Sequence, residues 1–294
     1  CMSTATGNIY WLASYPKSGN TWTRAFIAAL LKEDPEPVDI NKLHTGAIAS
    51  SREWVESALD FDIDELSHDE VDCLRPTAYR YLSDQFDSPG YHKVHDAFTQ
   101  LPNGEDLFPA GATRGTLCIV RNPLDVAVSF AHHSGSSIDQ AIENMGNPQF
   151  QFCKGTKRLS NQLRQHLLSW SDHVLSWVDL PHVNTRLVRY EDMRTKPVET
   201  FCATAHFLEL PHEPEQVTQA LDQCRIDKLQ AQEAENPFKE RSARASSFFR
   251  KGIVGDWQNA LTEEQVRQVI NDHRVVMQRL GYLDAQDQPV IDFG

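Results

Sequence analysis

NIYWLASYPKSGNTW, residues 8–22, is the stretch that decides the fold. Its first half, residues 8–15, is a short apolar run of the kind that forms a β-strand. After Gly19, apolar side chains recur at helical spacing, at Trp22, Phe26, Ala29 and Leu30. The stretch therefore predicts a buried strand that leads through a tight turn into a helix.

The turn between this strand and this helix contains residues suited to binding a phosphate group. Pro16 and Gly19 permit a sharp bend, after which backbone N–H groups point toward the start of the helix. Further hydrogen-bond donors come from Lys17, Ser18, Asn20 and Thr21. The loop is not a Walker A sequence, because its lysine precedes the glycine. An ordinary strand–turn–helix junction would have the same spacing, so both interpretations remain open here.

Three further runs of the β type follow along the chain, at residues 91–96, 116–121 and 185–190, with helical patterns between them. Short strands separated by helices indicate an α/β fold whose central parallel β-sheet is flanked by helices. A regular apolar repeat at Leu163, Leu167, Trp170, Val174 and Trp177 predicts one of these helices. Thr262 and Gln265 have the spacing of a capping box at the start of another.

The composition is that of a globular protein with a sizeable core. The chain has 294 residues, of which 40% are apolar, and no Gly/Ser-rich or Pro-rich linker divides it. We therefore expect one domain over residues 2–294, setting aside Cys1, which precedes Met2 like a remnant of cloning. No apolar stretch approaches the roughly 20 residues that a bilayer requires, and no signal-like segment opens the chain. These features predict a cytoplasmic protein without a membrane partner.

The charge balance disfavours a nucleic-acid surface, because 41 acidic residues outnumber 28 basic ones and the net charge is −13. Positive charge is nevertheless concentrated at residues 239–251, which hold five basic residues and one acid. This segment is a candidate anion site. The six cysteines form no CxxC pair, so we interpret them as reduced thiols and expect no zinc site.

A second motif, RNPLDVAVS at residues 121–129, also suits phosphate binding. Asn122 is a good N-cap and Pro123 suits the first helical position, which places Arg121 at the carboxyl end of a strand. Ligands of open α/β sheets bind at that edge, and an arginine there can contact phosphate through two N–H groups. A surface salt bridge is the alternative interpretation.

A third motif, RKGIVGDW at residues 250–257, supplies two adjacent cations in Arg250 and Lys251, followed by the unobstructed backbone N–H of Gly252. By itself, such a segment is more often a solvated basic loop.

Together, YPKSGNTW, RNPLDVAVS and RKGIVGDW resemble, in order and over nearly the whole chain, the three signature motifs of the cytosolic sulfotransferases. The resemblance implies a P-loop-like phosphosulfate loop after the first strand. It also implies transfer of a sulfuryl group from 3′-phosphoadenosine 5′-phosphosulfate (PAPS) to an acceptor hydroxyl or amine. Adenosine 3′,5′-bisphosphate (PAP) is then the second product, and the reaction needs no metal.

The resemblance also assigns the catalytic groups. The family's K-x-H segment matches Lys93 and His95, which would be a lysine at the phosphosulfate and the general base. The strand geometry agrees, because side chains two positions apart share a face. An unperturbed histidine has a pKa of about 6.5 and so offers a neutral imidazole at physiological pH. Lys17 and Lys93 would stabilise the charge on the departing phosphate.

The remaining contacts to the nucleotide follow from the same resemblance. The phosphosulfate loop would use Lys17, Ser18, Gly19, Asn20 and Thr21. The 3′-phosphate would be held by Arg121, Ser129 and Arg250, with Lys251 and Gly252 beside it. The aromatic contacts would come from Trp22, Phe248 and Tyr190.

Two segments depart from the family pattern. Residues 224–226 read CRI where the family has Thr-Ser-Phe, so the adenosine contacts expected there are in doubt. The family's dimer motif KxxxTVxxxE is degraded to QNALTEEQVR at residues 258–267, so the resemblance does not imply the family's dimer contact and leaves an oligomer open.

Two other functions remain open at this stage. A noncatalytic PAPS- or PAP-binding protein of the same fold would keep the loops but not need Lys93 or His95. A P-loop kinase would need a Walker A loop and a magnesium ligand, neither of which we find. The acceptor is the least determined feature. A small lipophilic alcohol or phenol is our preference, with a carbohydrate or an amine as alternatives.

Overall fold

The computed structural model describes residues 7–32, 37–43, 45–155, 160–242, 245, 247–249 and 252–293. The chain forms two compact units, each built from several segments. The first unit contains Cys1–Tyr15, Thr45–Cys118 and Asn147–Leu187. The second contains Pro16–His44, Ile119–Gly146 and Val188–Gly294. This division does not test the expectation of a single domain over residues 2–294, which stays a prediction.

The described residues form six β-strands: β1 Ile9–Ser14, β2 Gly90–Val94, β3 Thr113–Val120, β4 Gln151–Phe152, β5 Gln165–His166 and β6 Thr185–Arg189. They also form eleven α-helices: α1 Asn20–Leu31, α2 Arg52–Leu59, α3 His68–Asp84, α4 Pro123–Ser134, α5 Ile138–Gly146, α6 Trp170–Val178, α7 Tyr190–Thr195, α8 Pro197–Phe207, α9 Pro214–Gln223, α10 Ile226–Glu235 and α11 Glu263–Arg279. Two short 3₁₀ helices lie at Ile40–Lys42 and Asp256–Asn259. None of the helices in the described part of the chain combines the length and the apolar character needed to span a bilayer.

A parallel sheet of order β2-β1-β3-β6 contains all four strands that the sequence predicts. All of β1 and β2 and most of β3 and β6 belong to the first unit. Strand β1 pairs with β2 in the register Ile9–Gly90 to Ala13–Val94. Every residue of β1 is buried, as expected for a central parallel strand with both faces covered. The prediction of an α/β fold with a central parallel sheet is therefore confirmed.

The core of the first unit is aromatic. The Trp11 ring of β1 lies 5.1 Å from the Tyr79 ring of α3 and 5.0 Å from the Phe108 ring. Phe108 in turn lies 5.0 Å from the Trp177 ring of α6. All four side chains are almost fully buried, so these rings fix α3 and α6 against the sheet.

One predicted helix begins later than the apolar repeat suggests. The repeat starts at Leu163, but α6 begins only at Trp170. Residues 165–166 instead form β5, which pairs antiparallel with β4. Leu168 has φ of 61°, a left-handed conformation that ends any helical path, and the Ser169 side chain then caps α6. The early part of this prediction is wrong because pairing with β4 competes with the local helical pattern.

The second unit is helical, and two features of it bear on the predictions. The Phe26 ring of α1 packs 4.4 Å from the Phe201 ring of α8. At the other end of the unit, Thr262 and Gln265 form the predicted capping box of α11. Thr262, the residue retained from the family's dimer motif, thus has a local role as an N-cap. The oligomeric state stays a prediction.

Candidate active site

The predicted phosphate loop joins β1, which ends at Ser14, to α1, which begins at Asn20. Gly19 is the N-cap of α1 and has φ of 109°, which side-chain-bearing residues rarely adopt. A Cβ at this position would lie 2.8 Å from the Cδ2 atom of Tyr190. A glycine is therefore required here both by the backbone conformation and by the approach of the Tyr190 ring.

The start of α1 has the character of an anion site. Gly19 supplies no side-chain cap, and the first turn of α1 contains no acidic residue. The Ser18 side chain is fully buried, and its Oγ has no hydrogen-bond partner among the described residues. Buried hydroxyl groups are normally paired, so an unpaired one beside a helix N-terminus fits a phosphate oxygen.

Arg121 links the phosphate loop to the two other motifs. Its Nη1 donates to the Lys17 carbonyl at 3.3 Å, and its Nη2 donates to the Ile253 carbonyl at 3.1 Å. Its guanidinium lies 4.4 Å from the centre of the Tyr190 ring. The buried Nε has no partner within the described ranges, which leaves a charged donor for a ligand. Asn122 caps α4 as predicted, its side chain accepting from the Leu124 N–H at 3.0 Å.

Asp125 holds the third motif against the second, a role that the sequence analysis missed. Its carboxylate accepts from the Gly255 N–H at 2.9 Å and from the Trp257 N–H at 3.1 Å. Arg121 Nη2 lies 3.8 Å from the same carboxylate. An acid within the first turn of a helix, four positions after a predicted phosphate arginine, is the sequence signal that could have indicated this role.

Tyr190 is placed by its neighbour Glu191, which the sequence analysis also missed. The Tyr190 hydroxyl donates to the Gly252 carbonyl at 3.2 Å, and its ring lies 6.1 Å from the Trp22 ring. Glu191 is fully buried and accepts from the Asn122 N–H at 3.0 Å and from the Tyr282 hydroxyl at 2.9 Å. Burial raises the pKa of Glu191, so this carboxyl group is less readily ionised than usual.

Phe248 lies next to the phosphate loop. Lys17 Nζ is 3.7 Å from the centre of the Phe248 ring, a cation–π contact. The Glu233 carboxylate accepts from the backbone N–H groups of Phe248 at 2.7 Å and of Phe249 at 2.9 Å. The segment that carries Phe248 is thus anchored to α10.

Two of the predicted nucleotide residues, Arg250 and Lys251, lie outside the described residues. Seven of the others contact one another in the second unit: Lys17, Gly19, Trp22, Arg121, Tyr190, Phe248 and Gly252. Asn20 and Thr21 are buried in the first turn of α1, and Ser129 is half-buried on α4.

Lys93 and His95 belong to the first unit. The side chains of Lys93 and His95 are half-buried, whereas those of His92 and Val94 are buried. Burial thus alternates along this segment, as predicted for Lys93 and His95 on one face and His92 and Val94 on the other. His95 Nδ1 lies 2.8 Å from the Ser14 carbonyl oxygen. Since a carbonyl oxygen only accepts, Nδ1 must carry the hydrogen, and the neutral ring then has its lone pair on Nε2. That tautomer is the one a base acting through Nε2 requires.

A family model for the sulfotransferase domain matches residues 9–281 of this chain. The chain belongs to the sulfotransferase family. Cytosolic sulfotransferase 17 from Arabidopsis thaliana is 28% identical, with 96% of this chain and 78% of the relative covered. Flavonol 3-sulfotransferase from Flaveria bidentis is 24% identical, with 93% and 82% covered. The resemblance inferred from the three motifs is confirmed.

Solved structures of sulfotransferases share the fold. The mouse sulfotransferase SULT7A1, complexed with PAP, aligns with a TM-score of 0.59 at 19% identity, covering 92% of this chain and 85% of that one. Retinol dehydratase, in complex with androsterone and the inactive cofactor PAP, aligns with a TM-score of 0.56 at 16% identity, covering 92% and 81%.

Proposed function

We propose that this sulfotransferase uses PAPS as donor and transfers its sulfuryl group to the hydroxyl of a small lipophilic acceptor. The observation that carries the proposal is the pair of buried donors, Ser18 Oγ and Arg121 Nε, left without partners among the described residues beside the start of α1. Solved relatives of the same fold hold PAP, which has phosphate groups at its 3′ and 5′ positions. The two donors suit such a ligand.

In the proposed reaction, the acceptor oxygen forms a bond to sulfur while the bond from sulfur to the bridging phosphate oxygen breaks. The acceptor proton moves to His95 Nε2, and the electron pair of the broken bond stays on the departing phosphate of PAP. Lys17 and Lys93 stabilise the negative charge that develops there. Positioning and electrostatics account for catalysis, by analogy with phosphoryl transfer, and the mechanism assigns no step to a metal.

The two ends of the nucleotide are proposed to bind to different motifs. The 5′-phosphosulfate would lie at Ser18 to Thr21, with Asn20 and Gly19 offering backbone N–H groups. The 3′-phosphate would be bound by Arg121, Ser129 and Arg250, with Lys251 and Gly252 beside it. The adenosine would contact Trp22, Tyr190 and Phe248.

The acceptor class rests on the relatives. One curated relative is named for a flavonol, and one structure of the same fold contains androsterone. Both are compact, largely apolar molecules with a hydroxyl group. We therefore propose an alcohol or a phenol of this kind.

Nucleotide binding tests the assignment of the 3′-phosphate. Isothermal titration should give PAP an affinity about 10- to 100-fold higher than that of AMP, the amount expected from one or two charge-assisted hydrogen bonds. Arg121→Ala should remove most of this difference, whereas Arg80→Ala, which breaks a half-exposed pair with Glu105, should preserve it. Equal affinities of the wild-type protein for PAP and AMP would contradict the assignment.

Turnover tests the base. With PAPS and a panel of phenols and sterols, His95→Asn should lower kcat by about 10²- to 10⁴-fold and leave PAP affinity unchanged. The exposed His212→Asn serves as the control and should behave as wild type. Wild-type turnover in His95→Asn would exclude His95 as the base. A wild-type protein that binds PAP and transfers no sulfuryl group to any acceptor would favour the noncatalytic alternative.

A further inference from the structure

Directly after His95, the chain enters a buried network of charges in the first unit. Asp96 is fully buried. Its carboxylate accepts from Arg75 Nη2 at 2.9 Å, from Arg75 Nη1 at 3.2 Å and from the His166 backbone N–H at 3.2 Å. The Arg75–Asp96 pair is therefore bidentate, the geometry that fixes both partners most firmly.

Arg75, on α3, has a partner for each of its three side-chain nitrogens. Its Nε donates to the Tyr79 hydroxyl at 2.9 Å, and its Nη1 also lies 3.0 Å from the Arg164 carbonyl and 3.3 Å from Asp72. Burial lowers the pKa of Arg75, but the charges of Asp96 and Asp72 outweigh that effect and raise it well above its usual value. The guanidinium is therefore charged inside the core.

Asp72 pairs with Arg164, the second cation of the network. It accepts from Arg164 Nε at 3.0 Å, and His166 Nε2 lies 3.3 Å away. Burial alone raises the pKa of Asp72, but the hydrogen bond from His166 and the charges of Arg75 and Arg164 lower it to about 2. Three carboxylates, those of Asp69, Asp72 and Asp96, thus face the guanidinium groups of Arg75 and Arg164.

The backbone on the C-terminal side of His95 is fixed by the same surroundings. The Asp96 carbonyl accepts from the Trp177 indole N–H at 3.1 Å, and the Ala97 N–H donates to the His166 carbonyl at 2.6 Å. The His95 ring has its own hydrogen bond to the Ser14 carbonyl. The direction of Nε2 therefore depends on the backbone of residues 95–97 as well as on this hydrogen bond of the ring.

We propose that Asp96, clamped by Arg75, is a positioning residue that holds the His95 imidazole in its reactive orientation. This inference rests on the proposed function, in which His95 is the base. Replacement of a buried ion pair by apolar side chains is often neutral for stability. The stability of the fold therefore does not by itself require a charged pair at this place. Displacement of a reacting group by about 1 Å can reduce a rate about 10²-fold.

The test is the double variant Arg75→Met with Asp96→Leu, which removes both charges together and leaves no unpaired one. We expect kcat to fall about 100-fold, with PAP affinity and the KM for PAPS within twofold of wild type. Asp96→Asn is measured beside it and should lower kcat in the same direction. Nitrogen NMR shifts of His95 should show a single Nδ1–H tautomer in the wild type and a mixture in the double variant.

Arg52→Met is the control, since the ion pairs of Arg52 in the same unit are with Glu56, Asp62 and Asp64 and, among the described residues, it has no hydrogen bond or ion pair with residues 95–97. It should keep the wild-type kcat even where it lowers the melting temperature. A folded double variant with wild-type kcat would overturn the inference, and so would parallel losses of kcat and PAP affinity. His95→Asn, assayed in parallel, separates the two proposals: normal turnover there refutes the base itself, whereas an inactive His95→Asn with a fully active double variant refutes only the clamp.

Discussion

At the scale of the single residue, Gly19 shows how one position meets two constraints. Its φ of 109° excludes most side chains, and the Tyr190 ring occupies the place of a Cβ. The sequence indicates a turn glycine at this point, because a strand and a helix flank it. It does not indicate that the ring of Tyr190, 171 positions further along the chain, packs against this glycine.

Gly19→Ala should therefore damage nucleotide binding as well as stability. We expect the unfolding free energy to fall by about 1–2 kcal/mol from the left-handed backbone, and PAP affinity to fall about tenfold because Tyr190 must move. Gly104→Ala is a matched control, because Gly104 has φ of 84° and no described atom lies within 4 Å of its Cβ position. It should reproduce the loss of stability and leave PAP affinity intact. Equal affinities of the two variants for PAP would contradict this account.

At the scale of elements, the helix α4 and the loop of the third motif are joined by Asp125. The sequence predicts the N-cap of α4 correctly, because capping depends on residues two or three positions apart. It does not predict that Asp125 accepts hydrogen bonds from Gly255 and Trp257, which are 130 and 132 positions away. That contact depends on the path of the backbone between the two motifs.

Asp125→Ala should loosen this loop. The buried Gly255 N–H and the half-buried Trp257 N–H lose their acceptor, which should lower the unfolding free energy by about 1–3 kcal/mol in total. PAP affinity should fall too, because the loop carries the Ile253 carbonyl that positions Arg121. Urea unfolding and titration with PAP measure both effects. Asp139→Ala is the control: it removes an exposed acceptor of Gln265 and should change neither measurement appreciably. An Asp125→Ala protein that binds PAP like wild type would contradict the proposed connection between Asp125 and the nucleotide site.

At the scale of the whole molecule, two buried histidines give the protein an acid-sensitive stability. Burial lowers the pKa of His92 from 6.5 to about 4, and it lowers that of His173 to about 4 as well. His92 stacks on Trp54 at 4.2 Å, and His173 lies edge-on to Tyr15 at 5.5 Å. Between pH 6.5 and 4 the unfolded chain binds protons that the folded chain does not, so stability falls as the pH falls through this range.

Because of this proton uptake, the unfolding free energy at pH 5 should be lower than at pH 7 by about 2 kcal/mol for each histidine. His92→Phe keeps an aromatic ring on Trp54, although it leaves the Ala47 carbonyl without its donor. This variant should show roughly half of the wild-type decrease in unfolding free energy between pH 7 and pH 5. Urea unfolding at both pH values measures the difference. Asp72 titrates at lower pH, with a pKa of about 2, and so does not contribute in this range. The same pH dependence in His92→Phe as in wild type would contradict the assignment.

The sequence by itself determined the four strands of the sheet, the loop between β1 and α1, and the capping box of α11. These features follow from apolar patterns and hydrogen bonds among residues close together in the chain, which short segments specify on their own. It overextended α6, because the pairing of β5 with β4 is not visible in the helical repeat.

Only the tertiary structure decided which groups surround the functional residues. The carbonyls that Arg121 contacts, the tautomer of His95 and the clamp of Arg75 on Asp96 join positions from 21 to 132 residues apart. Such pairs depend on where the folded backbone places each segment. Local propensity carries no information about that placement, since the same side chains could pair with many other partners in an unfolded chain.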